Sequence, residues 1–152
     1  MRAVVLPGFG QPLELRDIAP PELGTGEVIV DVAASRVLSY AGDVFAGRRR
    51  HTMDVPVVPG PGGIGRVRAV GPDATRLQPG QWVYIEPTVR SRDDVNGPDS
   101  LLQGWTAATP GARQLQRHYR DGSWAEQTRV PTENVTPIGD IDPADAGRWC
   151  AM

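Results

Sequence analysis

From Val55 to Val83 the chain reads VPVVPGPGGIGRVRAVGPDATRLQPGQWV, and the glycine run inside it restricts the fold more than any other feature. Gly60-Pro61-Gly62-Gly63-Ile64-Gly65 satisfies the spacing G-x-G-x-x-G. That spacing holds a dinucleotide only where a strand enters and a helix leaves, so that the helix N-terminus turns its free N–H groups toward a pyrophosphate. Here Pro59 and Pro61 stiffen the entry, and Arg66-Val67-Arg68-Ala69-Val70 leaves with the period-2 alternation of a strand. Gly71-Pro72-Asp73 then turns the chain. The run is therefore a loop feeding a strand, its glycines placed for positive φ and close packing rather than for phosphate.

Glycine and proline recur along the whole chain, 18 and 15 of 152 residues, which cuts it into many short strands joined by tight turns. Strands are expected at Ala3–Leu6, Leu13–Ile18, Glu27–Ala34, Gly65–Val70, Trp82–Glu86, Ala125–Pro131 and Val135–Pro137. Val28-Ile29-Val30 is apolar at every position, as in a strand covered on both faces. Helical turns are expected at Tyr40–Ala46, at Arg113–Arg120 and from Pro143 onward. Many strands and few helices predict a mainly β, barrel-like domain whose loops form its functional face. No internal repeat is visible.

At this length the chain makes one domain with a real core. A net charge of −2 gives no field that would attract nucleic acid or an anionic membrane. No run approaches the roughly 18 apolar residues of a spanning helix, and the apolar stretch before Pro7 is too short for a secretory leader. The single cysteine, Cys150, allows no internal disulfide and suits a reducing compartment, so a cytoplasmic location is expected.

The order of parts carries more than any one motif. A Pro-Gly approach loop, a small-residue strand, the turn Gly71-Pro72-Asp73-Ala74-Thr75-Arg76-Leu77 and Leu77-Gln78-Pro79-Gly80 follow one another. Met1–Leu6 forms an opening strand, Gly24-Thr25-Gly26-Glu27-Val28-Ile29-Val30-Asp31-Val32 a second, and Gly122-Ser123-Trp124-Ala125-Glu126 leads to Val130-Pro131 and Asn134-Val135. In this order the whole chain resembles the GroES-like catalytic domain of the medium-chain dehydrogenase/reductase superfamily, which includes zinc alcohol dehydrogenases and zinc-free quinone and enoyl reductases. The resemblance implies a GroES-like, partly open β-barrel with a few short helices. It also implies a Rossmann domain for NAD(P)H following the catalytic domain, and no such domain lies within these residues. Residues 1–142 correspond to the GroES-like catalytic domain. Residues 143–152 correspond to the start of the helix leading into the cofactor domain, with Asp142 as N-cap and Pro143 at the first helical position.

Zinc needs three or four Cys, His or carboxylate ligands, and this chain has His51, His118 and Cys150, far apart. The zinc members place a Cys where Leu38 stands, and their G-H-E motif falls on Gly60-Pro61-Gly62. Their cysteine-rich structural lobe corresponds to Arg90–Gln103, which has no cysteine. The resemblance therefore implies a zinc-independent member. The asparagine usual in zinc-free members also aligns with Leu38. In such enzymes a hydride from NADPH lands on an activated C=C bond and a hydrogen-bond donor holds the enolate oxygen.

The nearest donors in this chain are Ser39 and Tyr40, with Glu86 as an acid or base if buried. Tyr40 has a competing structural role, capping the next helix and packing its ring under the cleft. Glu86 has one too, in an ion pair with Arg90 or Arg92. Leu38, Pro61, Gly62 and Trp105 are expected to line the substrate cleft, Trp105 as an aromatic wall or as core. Arg48-Arg49-Arg50-His51 is a basic loop tip or an anion-steering patch. A hydrolase triad of Ser123, His118 and Asp121 lacks a nucleophile elbow.

These readings converge on the substrate domain of a zinc-independent NAD(P)H-dependent oxidoreductase, without cofactor or metal of its own. Its expected partners are a small-molecule substrate and either a second copy or another partner over the face a Rossmann domain would cover, with no nucleic acid or membrane. The alternative is a stand-alone GroES-like protein with a cofactor-free isomerase or cyclase role, or a non-catalytic binding module.

Overall fold

The computed structural model describes residues 1–151; the part of the expected C-terminal helix at Met152 lies outside them. Five antiparallel strands form the main sheet in the order β8-β3-β4-β5-β9. They are β3 (Glu27–Ser35), β4 (Gly63–Val70), β5 (Trp82–Ile85), β8 (Gln127–Pro131) and β9 (Val135–Pro137). Two ribbons flank them, β1 (Arg2–Val5) with β2 (Glu14–Asp17), and β6 (Thr88–Arg90) with β7 (Ser100–Leu102). Single bridges, Ala3 to Ala125 and Leu6 to Val57, tie the first ribbon to the body. The sheets stay open, and the architecture is mainly β with a few short helices, as expected.

Alternation along the strands builds the core. Val28, Val30, Val67, Val83, Ile85, Val130 and Val135 meet on one face of the sheet. Ile29 is buried as well, so Val28–Val30 is covered on both sides, as the unbroken apolar run predicts. The other face of β4 and β5 carries Ile64, Trp82 and Tyr84, and packs against Ala146 and Cys150 of α3 (Ala146–Ala151). A third cluster gathers Leu6, Val44, Phe45, Met53, Val57 and Trp105 around α1 (Ala41–Phe45).

All the expected strands are present, none with an end shifted by more than two residues. Two elements differ. The ribbon β6–β7 was not expected, because its strands have three residues each and are separated by the polar Ser91–Asp99 segment. The helix expected at Arg113–Arg120 is α2 (Pro110–Gln116), because Thr109 caps it by accepting from the Ala112 N–H and Pro110 sits in its first turn. At the C-terminal end Asp142 accepts from the Ala144 N–H as expected, and a short 3-10 turn over Pro143–Asp145 precedes α3.

Candidate functional site

The loop Pro59–Gly62 leaves the body after Val58 and enters β4, and all four of its residues are buried. Gly60 and Gly62 have φ of 115° and 68°, and a Cβ on Gly62 would run into the Ile85 carbonyl oxygen. The glycine run therefore serves close backbone approach and a left-handed turn, and a strand rather than a helix leaves it.

Ser123 fixes this loop from below. Its hydroxyl lies 2.6 Å from Gly62 O, 3.0 Å from Gly60 O and 2.6 Å from Ser35 Oγ. His118, the base that a hydrolase would need, is instead 2.5 Å from the buried Glu27 carboxylate. Ser123 thus serves as a structural hydroxyl, and the triad is not assembled.

Leu38 and Tyr40 are half-buried against the α1 cluster, and Ser39 between them is exposed. The Tyr40 ring meets Trp105 edge-on at 5.8 Å, and the Arg49 guanidinium lies 4.0 Å over it. The Tyr40 side chain makes no capping bond to α1; its carbonyl accepts from the Asp43 and Val44 N–H groups instead. Its hydroxyl has no hydrogen-bond partner among the described residues. Trp105 is only 1 % exposed and shares the core with Phe45 and Val57. Leu38, Tyr40 and Trp105 therefore form one group, while Gly62 and Glu86 lie together at the end of β5, where Glu86 follows Ile85.

Glu86 pairs with neither nearby arginine. Its Oε1 accepts from the Thr88 N–H at 3.1 Å and the Thr88 hydroxyl at 2.5 Å. Arg92 instead grips Glu133 through two N–H groups, at 2.7 and 2.6 Å. In the basic run, Arg48 pairs with Asp43 at the surface, and His51 lies 5.2 Å from the Trp105 ring. Burial and then the Arg49 charge push the His51 imidazole pKa down, so its neutral form is favoured.

Sequence reasoning missed Arg36 and Tyr84. Arg36 Nε donates to the Cys150 carbonyl at 2.9 Å, and its own carbonyl accepts from Trp124 Nε1 at 2.9 Å. An open cavity of about 430 Å³ lies between Ser35–Leu38 and Gly147–Ala151. Tyr84 is half-buried in the same region; burial and then the Glu86 charge raise its phenol pKa, against the Arg36 charge. The alternation of Trp82-Val83-Tyr84-Ile85 is the signal for Tyr84, since it places this side chain on the face of the sheet that α3 covers. Nothing in the local sequence around Arg36 announces a partner more than a hundred residues away.

The positions that the resemblance aligns with zinc ligands carry no donor side chain: Leu38 has a hydrocarbon side chain, Pro61 a ring and Gly62 none. Among the described residues no group of three His, Cys, Asp or Glu side chains converges as a metal site. At Leu38, Pro61 and Gly62 the side chains do not fit zinc.

The sequence profile of the alcohol dehydrogenase GroES-like domain matches residues 24–140. The chain belongs to this family. An alcohol dehydrogenase of Geobacillus stearothermophilus is 31% identical over 141 residues, covering 92% of this chain and 40% of the relative. An L-threonine 3-dehydrogenase of Anaeromyxobacter sp. (strain K) is 29% identical, covering 85% of this chain and 36% of the relative. In structure, the alcohol dehydrogenase of the hyperthermophilic archaeon Aeropyrum pernix superposes with a TM-score of 0.77 over 96% of this chain and 42% of its own, at 20% identity. An NAD-dependent alcohol dehydrogenase superposes with a TM-score of 0.71 at 28% identity, over 90% of this chain and 39% of its own. This GroES-like domain spans about two fifths of the length of such relatives and matches their N-terminal part. No helix among the described residues is long and apolar enough to cross a membrane.

Proposed function

We propose that this GroES-like domain is the substrate-binding half of a zinc-independent, NAD(P)H-dependent reductase of activated C=C bonds, in quinones or enones. The observation that carries the reading is membership of the alcohol dehydrogenase family combined with Leu38, Pro61 and Gly62, which offer a metal nothing to bind. Without a Lewis acid, the negative charge that develops on the substrate oxygen needs a hydrogen-bond donor. Tyr40 supplies it: its hydroxyl is uncommitted among the described residues, and Trp105 holds its ring edge-on. Ser39 is the second donor within reach of the same loop. Arg49, stacked on the Tyr40 ring, places a cation near the negative charge that would develop on the substrate oxygen. A hydride would come from a nicotinamide cofactor held outside these residues; Tyr40 and Ser39 would orient the acceptor, and the Tyr40 hydroxyl would donate the proton.

The face near α3 supports a covering partner, whether a cofactor domain or a second copy. Val37 is 74% exposed and Trp149 40%, beside the cavity that Leu38 and Cys150 line. The lone buried cysteine suits a cytoplasmic protein.

The test uses the full gene product. It should oxidise NADPH in the presence of a quinone or an enone and contain no stoichiometric zinc by elemental analysis. One zinc per chain that survives chelator treatment, or oxidation of a simple alcohol with no turnover of quinone or enone, would overturn the reading.

A further inference from the structure

A cavity of about 350 Å³ lies between the Ile18–Glu22 segment, the turn after α2 and β8. Its volume is at the lower end of the roughly 300–1,000 Å³ typical of small-molecule sites. None of the residues expected to act on substrate lines it. Its walls are built to stay in place. Arg129 donates from Nη1 to the Glu22 carbonyl at 3.1 Å and from Nη2 to the His118 carbonyl at 2.6 Å, clamping the two opposite walls together. Beneath them the buried Glu27 carboxylate holds the His118 ring and lies 3.7 Å from Arg129 Nε. Gln103, only 4% exposed, donates from Nε2 to the Asp121 and Arg129 carbonyls at 2.8 and 2.7 Å and fixes the floor.

On this clamped frame two side chains of opposite charge line the cavity without using each other. Arg117 and Glu22 have no ion-pair or side-chain hydrogen-bond partner among the described residues, although Arg129 holds their two segments side by side. Arg120 rests on Asp121 through two long contacts, Nε to Oδ1 and Nη2 to Oδ2 at 3.3 Å each, with no partner for its Nη1 among the described residues; Asp121 Oδ1 also accepts from the Val58 N–H at 2.9 Å. Guanidiniums receive a carboxylate through paired N–H groups. A free carboxylate lining the same cavity repels a polyanion and attracts an ammonium.

We propose that this cavity is a binding site for a small zwitterion of the α-amino acid type, its carboxylate on Arg117 and Arg120 and its ammonium on Glu22. The site lies next to the Pro59–Gly62 loop, because Val58, which carries that loop, is bonded to Asp121 and to Gly122 at the cavity wall. Occupancy would stiffen the loop from outside the substrate region. The site is independent of the reductase reading and stands or falls without it.

Amide chemical shifts of this domain, titrated with L-serine, lactate and ethanolamine, test the proposal. L-serine should shift residues around Glu22 and Arg117–Asp121 saturably, with a dissociation constant of about 1 mM or tighter. Lactate lacks the ammonium and ethanolamine the carboxylate, so each should bind at least roughly tenfold more weakly, the scale of one lost charged contact. Arg117→Gln and Glu22→Gln, both surface changes that leave the clamp intact, should each weaken L-serine by a similar factor. No saturable shift with L-serine, or unchanged binding in both variants, would overturn the site. Lactate binding as tightly as L-serine, with Glu22→Gln inert, would overturn the zwitterion.

Discussion

Tyr40 and Glu27 are tested by different measurements, one by activity and the other by stability. Tyr40 keeps its ring in the Trp105 contact and its hydroxyl free, so Tyr40→Phe removes a donor without opening a cavity. In the full gene product the substitution should lower kcat by roughly 10- to 100-fold, the scale of one hydrogen bond to a developing charge, with little change in Tm. Full activity in Tyr40→Phe together with unfolding of Tyr40→Ala would make the residue purely structural. Glu27 works differently. Burial alone would raise its carboxyl pKa, but the His118 hydrogen bond, the Arg129 charge and the Gly24 N–H outweigh burial and hold it below its ordinary value of 4.5. A carboxyl with a folded-state pKa below its unfolded one stabilises the fold fully above the unfolded value. That contribution is lost as the pH falls through the lowered folded value. Denaturation midpoints should therefore drop more steeply for the natural chain than for Glu27→Gln once the pH falls below about 4.5, with the two curves diverging most at neutral pH. Parallel curves from pH 7 to pH 3 would remove Glu27 from this role.

Among the elements, the Pro59–Gly62 loop is the one whose sequence misleads most and whose packing explains most. Gly62→Ala would force a Cβ into the Ile85 carbonyl at a φ that L-residues rarely adopt. The substitution should destabilise the domain by about 2 kcal/mol or more, read from urea denaturation, whereas the exposed Gly97→Ala, with open space around it, should be near neutral. Equal midpoints for the two variants would refute the tight fit. The strands of the main sheet were legible because apolar alternation and flanking Gly and Pro both mark them. The ribbon β6–β7 was not legible, since a three-residue strand is too short to show a period and its connection reads as plain polar loop. Of the candidate site, the local parts were readable: which side chains the Leu38–Tyr40 loop carries, and that Leu38, Pro61 and Gly62 have no polar side-chain atom. The long-range parts were not. Arg36 meeting Cys150, Ser123 beneath Gly62, and Glu133 taking Arg92 away from Glu86 all depend on contacts between segments 41 to 114 residues apart.

At the scale of the whole molecule, this GroES-like domain has, in Gly60–Gly65, a glycine run already spent on packing. The isolated chain should not bind NADPH appreciably. Calorimetry giving a micromolar dissociation constant, abolished by Gly62→Ala without loss of fold, would contradict this. One connection then takes on a further meaning. From Gly62 the contacts run through Ser123 to its neighbour Trp124, from Trp124 Nε1 to the Arg36 carbonyl, and from Arg36 Nε to the Cys150 carbonyl in α3. This is a short mechanical linkage, with Arg36 as its pivot. A push on the outer surface of α3 would pass through Arg36, Trp124 and Ser123 to reach the buried glycine loop, so a body resting on α3 would sense, and be sensed by, that loop.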